Sequence, residues 1–305
     1  MRPVFQWSLG SQRIELGKRT LVMGVVNVTP DSFSDGGQFA SPEAAVEHGL
    51  RLIEEGADFL DVGGESTRPG VHVGSDPTVG ADEELRRTVP VIEGLKQAKP
   101  DILISVDTYK AEVARAGVAA GAVIVNDVSG LTWDPEMAKT LATQPCGVVL
   151  MHTRGEPEDW KDLPPEPRIL QVVQQELHVA VQHAIAAGVK HDRIVLDPGF
   201  GFGKRFENNY PLLTKFEELH SMGFPLMVGL SRKSFLGRTA GARFKGDLAP
   251  LERLHPSIAA AVIAAMKGAH IVRAHDVRAT VEAMAVVDAM MENDSERNPW
   301  FDAYS

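Results

Sequence analysis

Asn27, Asp61, Asp107, Asn126, His152, Asp197, Lys233 and Arg273 each stand at or just past the end of a short apolar run. Side chains placed this way offer two kinds of chemistry. Asp107, Asn126 and Asp197 supply carboxylate and amide edges. A buried carboxylate needs a partner, and a guanidine-like N–H edge held in bidentate fashion is a fitting one. An amide reads a donor and an acceptor together. The set suits a flat 2-amino-4-oxo-pyrimidine ring. Arg68, Arg273 and His275 are the opposite kind: two guanidiniums and an imidazole suited to a di- or triphosphate. Taken singly, each has a plainer role. Asp107 or Asp197 also suits an ion pair with a helix Lys or Arg, His275 suits a helix cap, and Asp127 and Asp276 suit capping of the helices that follow.

Asp197-Pro198-Gly199-Phe200-Gly201-Phe202-Gly203-Lys204 is the most unusual stretch. Its alternate glycines would let the backbone approach a ligand closely. Phe202 suits stacking on a flat ring or capping the core over a barrel mouth. Asn27 and Asp31 suit a Mg²⁺ held mainly by substrate phosphate oxygens and water. There is no Cys or His cluster with zinc spacing. A Gly-x-Ser-x-Gly elbow and a Walker A loop are also missing.

The elements that must position these groups are legible. Apolar runs lie at Leu21–Val26, Phe59–Val62, Ile102–Val106, Val123–Val125, Val148–Met151, Ile194–Leu196, Leu226–Leu230 and Ile271–Val272. Helical patterns follow at Glu43–Glu55, Asp82–Lys96, Tyr109–Ala120, Pro167–Ala187, Glu207–Ser221, Pro256–Lys267 and Val277–Met291. Near-continuous apolar strands alternating with helices imply a parallel sheet covered on both faces. Eight units imply closure, so the expected fold is α/β, a single-domain (β/α)8 TIM barrel over 1–292, with a polar tail at 293–305. In such a barrel every strand C-terminus opens onto one mouth, where barrel enzymes work. The connections from about Val28 to Phe39 and from about Gly64 to Ala81 are long, follow strands, and read as lids over that mouth.

Composition excludes several classes. The chain has 305 residues and a formal charge of −10, with 31 Lys and Arg against 41 Asp and Glu. So acidic a chain is a poor partner for nucleic acid. Cys146, the single cysteine, reads as a buried structural thiol, and no intrachain disulfide is possible. No signal peptide or membrane span is expected, which points to the cytoplasm.

With these residues in view, the chain closely resembles the dihydropteroate synthases. The resemblance covers roughly residues 20–290. It rests on Met23–Gly37, Asp61-Val62-Gly63-Gly64-Glu65-Ser66-Thr67-Arg68-Pro69-Gly70, Asn126–Gly130, Asp197–Lys204, Gly229–Gly237 and Arg273–Val277. It implies condensation of 6-hydroxymethyl-7,8-dihydropterin diphosphate with 4-aminobenzoate, giving dihydropteroate and diphosphate in folate synthesis. It further implies a pterin site of Asp107, Asn126, Met151, Asp197, Phe202, Gly229 and Lys233. Asn27, Thr67, Arg68, Arg273 and His275 would hold the diphosphate, with Mg²⁺ near Asn27. Phe33, Thr67, Pro69, Phe200 and Ser234 would shape the aminobenzoate pocket, where sulfonamides compete in this family. Asp107, Asp35, Arg273 and Lys233 would carry the catalysis, Asp35 by covering a pterin-methylene cation from the first lid. A homodimer through late helices is expected. The alternatives are a catalytically silent pterin-binding paralogue and a pterin-dependent methyltransferase. The stretch Val71–Asp82 is longer than the family pattern. Arg154 stands where an uncharged polar residue is usual and would add a phosphate or solvent contact.

Overall fold

A computed structural model describes residues 2–28, 41–65, 79–244 and 246–295. The chain opens with an antiparallel hairpin, β1 (Phe5–Leu9) and β2 (Gln12–Leu16), turned by Gly10 and Ser11. Eight parallel strands follow: β3 (Leu21–Asn27), β4 (Phe59–Gly63), β5 (Leu103–Asp107), β6 (Ile124–Asp127), β7 (Gly147–Met151), β8 (Ile194–Asp197), β9 (Met227–Gly229) and β10 (Ile271–Ala274). They lie in the order β8-β7-β6-β5-β4-β3-β10-β9, and a parallel Leu196–Leu226 bridge joins the two ends. The sheet therefore closes, and the fold is the (β/α)8 barrel expected from the sequence.

The helices wrap it: α1 (Pro42–Glu54), α2 (Ala81–Ala98), α3 (Ala111–Ala119), α4 (Met137–Thr143), α5 (Ile169–Ala187), α6 (Phe206–Thr214), α7 (Ser234–Gly241), α8 (Leu254–Met266) and α9 (Val277–Ser295). Local chemistry starts them where the sequence suggests. Ser41 accepts the Ala44 N–H at 3.3 Å and Pro42 takes the first helical position of α1, where a missing N–H costs nothing. No helix among the described residues is long and apolar enough to cross a membrane.

Strand periodicity sorts the core into two layers. Val22, Val26, Leu60, Val62, Ile104 and Val106 face the helices. Leu21, Met23, Phe59, Ile124, Val149, Val195, Met227 and Ile271 fill the barrel. Trp7, Leu9 and Leu16 of the hairpin join that inner layer and plug the end opposite the mouth. Trp7 also donates its indole N–H to the Arg193 carbonyl at 2.8 Å. The strand alternation that packs the interior also carries the polar strand ends to the mouth.

Several elements differ from the sequence reading. The hairpin was not anticipated. Glu207–Ser221, expected as one helix, divides into α6 and a 3-10 segment, Phe216–Met222. Phe216, Leu219 and Met222 recur every third residue, the spacing that eclipses side chains in a 3-10 turn. Helices α4 and α7 are 7 and 8 residues long, too short to show a periodic face. At the other end, α9 runs to Ser295, past the boundary at 292.

Candidate active site

Polar inward residues at or near the ends of β4, β5, β6 and β10 meet, and Asp197, at the end of β8, lies close enough to feel the Arg273 and Lys233 charges. Arg273 donates from Nε to Asp61 Oδ2 at 2.6 Å and from Nη2 to Asp107 Oδ2 at 2.7 Å. Asn126 donates from Nδ2 to the same Asp61 oxygen at 3.1 Å. Asp61 and Asn126 are buried, and each keeps one side-chain oxygen, Oδ1, without a hydrogen-bond partner among the described residues. Asp197 accepts the Gly199 N–H at 2.7 Å. A Cβ at Gly229 would stand 4.0 Å from Asp197 Oδ2, so Gly229 borders that buried carboxylate. The Lys233 ammonium lies 4.0 Å from the centroid of the Phe202 ring, a cation–π contact.

The electrostatics follow from crowding. Burial pushes the Asp107 carboxyl up to about 8, with the Asp61 charge adding to it and Arg273 opposing. Burial also raises Asp197 to about 6, partly offset by the Gly199 N–H and by Lys233. Lys233 is lowered to about 8, first by burial and then by Arg273, with Asp197 and Asp107 opposing. The mouth therefore holds three groups poised near neutrality, a pattern typical of reactive sites.

An apolar lip borders these groups. Tyr109, Val128 and Met151 pack together with Trp133 and Phe202. Tyr109 meets Trp133 edge to face at 5.1 Å, and Trp160 meets Phe202 the same way at 5.3 Å. Such a lip offers aromatic faces of the kind on which a flat ring stacks.

The structure changes several sequence expectations. Phe200 does not line a pocket: it is fully buried, stacked between Phe216 and Phe235 at centroid distances of 6.5 and 6.4 Å. The two half-sites are not separate either, because Arg273 reaches the carboxylate read as a ring contact. The partner of Asp107 in the free protein is this guanidinium. The alternate glycines serve the protein's own backbone. Gly199 and Gly203 have φ of 66° and 61°, and a Cβ on either would fall 1.9 Å from the carbonyl oxygen of His152 or Arg154. Arg154 donates to the Pro164 carbonyl at 2.6 Å, a contact within its own loop.

Other strand-end residues have structural tasks. His152 turns away from the mouth toward Glu176, with Nε2 and Oε2 2.9 Å apart, and burial lowers it to about 4. Asp127 accepts the Ser129 and Leu131 N–H groups at 2.8 Å and shapes the turn after β6. Asp276 pairs with Arg232. His275 Nδ1 lies 3.0 Å from Ser231 Oγ. Ser234 is exposed at the first residue of α7, directly after Lys233. Asn27 is half-buried at the end of β3. Phe33, Asp35, Thr67, Arg68 and Pro69 lie outside the described residues.

Two features of the site were not foreseen. Lys204, buried, donates to the carbonyls of His152, Gly199 and Phe202 at 3.2, 2.7 and 3.1 Å, tying the loops after β7 and β8 together. Burial drives its pKa well below the usual lysine range. Lys110 bridges Glu65 and Glu84 just past the end of β4. Each is a lone charge in sequence, and only contact shows its task.

The comparisons agree with this geometry. The family model described as "Pterin binding enzyme" matches residues 23–275. The dihydropteroate synthase of Escherichia coli (strain K12) is 44% identical over 270 residues, which are 88% of this chain and 91% of that one. The chain belongs to the dihydropteroate synthase family. A solved dihydropteroate synthase of Xanthomonas albilineans with 4-aminobenzoic acid superposes with a TM-score of 0.84 at 44% identity, covering 95% of this chain and 99% of that one. The same organism's dihydropteroate synthase in complex with 7,8-dihydropteroate gives 0.81 at 42% identity, with 94% and 98% covered. In this dihydropteroate synthase family member the matched region spans every barrel strand, and Arg273 and His275 lie at its end.

Proposed function

We infer that the chain condenses 6-hydroxymethyl-7,8-dihydropterin diphosphate with 4-aminobenzoate to give 7,8-dihydropteroate and diphosphate. The observation that carries this reading is the joining of Asp107, Asn126 and Arg273 around Asp61 under an apolar lip, in a chain of this family. Asp107, Asn126, Asp197 and Lys233 hold the ring, with Met151, Phe202 and Gly229 shaping its slot. Asn27, Thr67, Arg68, Arg273 and His275 hold the diphosphate. Phe33, Thr67, Pro69 and Ser234 receive the aminobenzoate.

The mechanism follows from charge. The bond between the pterin methylene carbon and the diphosphate oxygen breaks, and the electron pair leaves with the diphosphate. Positive charge then spreads over methylene and ring. Burial and Asp61 disfavour the ionised form of Asp107. A cation beside it reverses that balance, and by reciprocity the ionised Asp107 stabilises the cation. Asp35 takes the task of shielding the cation from water. The amine of 4-aminobenzoate attacks the methylene carbon, and as the C–N bond forms it gives up one proton to solvent water. An arylamine is nucleophilic at neutral pH, so no histidine is needed as base.

A Mg²⁺ fits as a companion of the diphosphate. Asn27 offers one neutral oxygen, and no group of His, Cys, Asp and Glu among the described residues is arranged to hold a metal by itself. Such an ion takes most ligands from phosphate and water, and when bound it neutralises charge on the leaving group. Pairing of two copies is supported by exposed Ile263 and Met266 on α8 and Val286 and Met290 on α9. A cytoplasmic location suits the single cysteine, which is buried and free. The test is turnover: with the pterin diphosphate, 4-aminobenzoate and Mg²⁺, diphosphate and dihydropteroate should form together. Pterin binding without turnover would defeat the reading.

A further inference from the structure

We propose that Asp61 is a positioning residue, the fixed point that holds Arg273 and Asn126 in register while Asp107 changes partner during the reaction. The proposal rests on the synthase reading above and adds a residue to it.

The argument begins from exposure. Asp61 is 0% exposed and the Asp107 side chain 18%. A ring entering the mouth can reach Asp107 but not Asp61. Arg273 touches both carboxylates through different nitrogens, Nε on Asp61 and Nη2 on Asp107. The two contacts therefore separate. When the ring takes Asp107, the Nη2 bond is exchanged and the Nε bond remains. Two of the five N–H groups of Arg273 meet these carboxylates in the free protein. A guanidinium pinned by Nε turns its outer nitrogens toward the mouth, where a diphosphate would lie.

The same Asp61 oxygen sets Asn126. An ionised carboxylate only accepts hydrogen bonds, so it dictates which end of the amide faces it. Nδ2 turns to Asp61 at 3.1 Å, and Oδ1, which has no partner among the described residues, is left as an acceptor. Without Asp61 the amide has no fixed orientation, and the ring would meet donor or acceptor at random. One buried oxygen thus aligns a ring contact and a diphosphate contact. A purely architectural carboxylate would not need to touch both.

A double-mutant cycle tests this. Asp61→Asn keeps the shape and removes the charge. In the otherwise unchanged full chain, kcat at saturating substrates should fall roughly 10- to 100-fold, as expected for losing a charge-assisted hydrogen bond. On an Arg273→Ala background the same change should lower kcat by less than about 3-fold, because the diphosphate contact is already gone and the remaining effect, through the ring contact of Asn126, falls on the KM for the pterin rather than on kcat at saturation. An equal loss in both backgrounds would overturn the proposal, since a merely structural role adds independently. Should Asp61→Asn not fold, Asp61→Leu/Arg273→Met removes both charges together and is compared with Arg273→Met alone. Equal kcat supports the proposal, and a further loss of about 10-fold overturns it. If the unaltered chain gave no turnover, the synthase reading would fall and the proposal with it. If Arg273→Ala alone kept full turnover, the assignment of Arg273 would fall, and with it the claim that Asp61 positions Arg273 for the reaction.

Discussion

Replacing Phe200 by alanine separates a core role from a pocket role. The ring is fully buried between Phe216 and Phe235, behind the strand that ends in Asp197. Truncating a buried Phe typically costs about 3–5 kcal/mol, part transfer free energy and part residual cavity. The stacked neighbours belong to two different elements, the 3-10 segment and α7. They cannot both collapse inward, so the upper half of that range is expected. At ~2 °C per kcal/mol for a chain of this length, the melting temperature should drop by about 8–10 °C. The assay is thermal unfolding followed by circular dichroism, paired with steady-state kinetics well below the transition. The KM for 4-aminobenzoate should stay within about 3-fold of the parent, because the fully buried ring offers a ligand no surface to touch. A chain that melts normally and loses aminobenzoate affinity would refute the reasoning and return Phe200 to the pocket.

Two further predictions concern protons. Lys233 keeps its charge below about 8 and loses it above, while Asp107 ionises only above about 8. Calorimetric affinity for a pterin lacking diphosphate should therefore peak near that pH. Lys233→Met should abolish the alkaline fall and Asp107→Asn the acid one, and a wild-type profile unchanged in both variants would contradict the assignment. His152 is lowered to about 4 by burial, below the ~6.5 expected of an unfolded histidine. Its contribution to stability is whole above ~6.5 and is lost as pH falls toward 4, amounting to about 2 kcal/mol by pH 5. The melting-temperature loss between about pH 7 and 5 should thus be smaller in His152→Asn, and an identical loss would show that His152 is not buried neutral.

The barrel was legible because each strand is a short, mostly apolar run and most helices carry a start or stop residue. The hairpin was not, although Gly10-Ser11 between two short runs is a recognisable turn. Trp7 and Leu16 reveal their task only by plugging the barrel. Polar strand ends pointed to the mouth because parallel strands share one direction. What the sequence could not show is which way a residue faces within one turn. His152 follows Met151 immediately, yet Met151 packs at the mouth and His152 meets α5. Phe200 and Phe202 lie two apart, and one is core while the other meets Lys233. Asp61 was noted as a strand end, but its hold on Arg273 links residues 212 positions apart. Such pairings depend on closure of the barrel rather than on local pattern.

The central claim is that Asp107 stabilises positive charge as the bond to diphosphate breaks. Single-turnover release of diphosphate by Asp107→Asn, with the pterin diphosphate saturating, tests it directly. Removing one preorganised group from a developing charge costs on the order of 10²–10³ in rate, and the account predicts a loss of that size. Release at the parent rate, with ring affinity alone reduced, would contradict it.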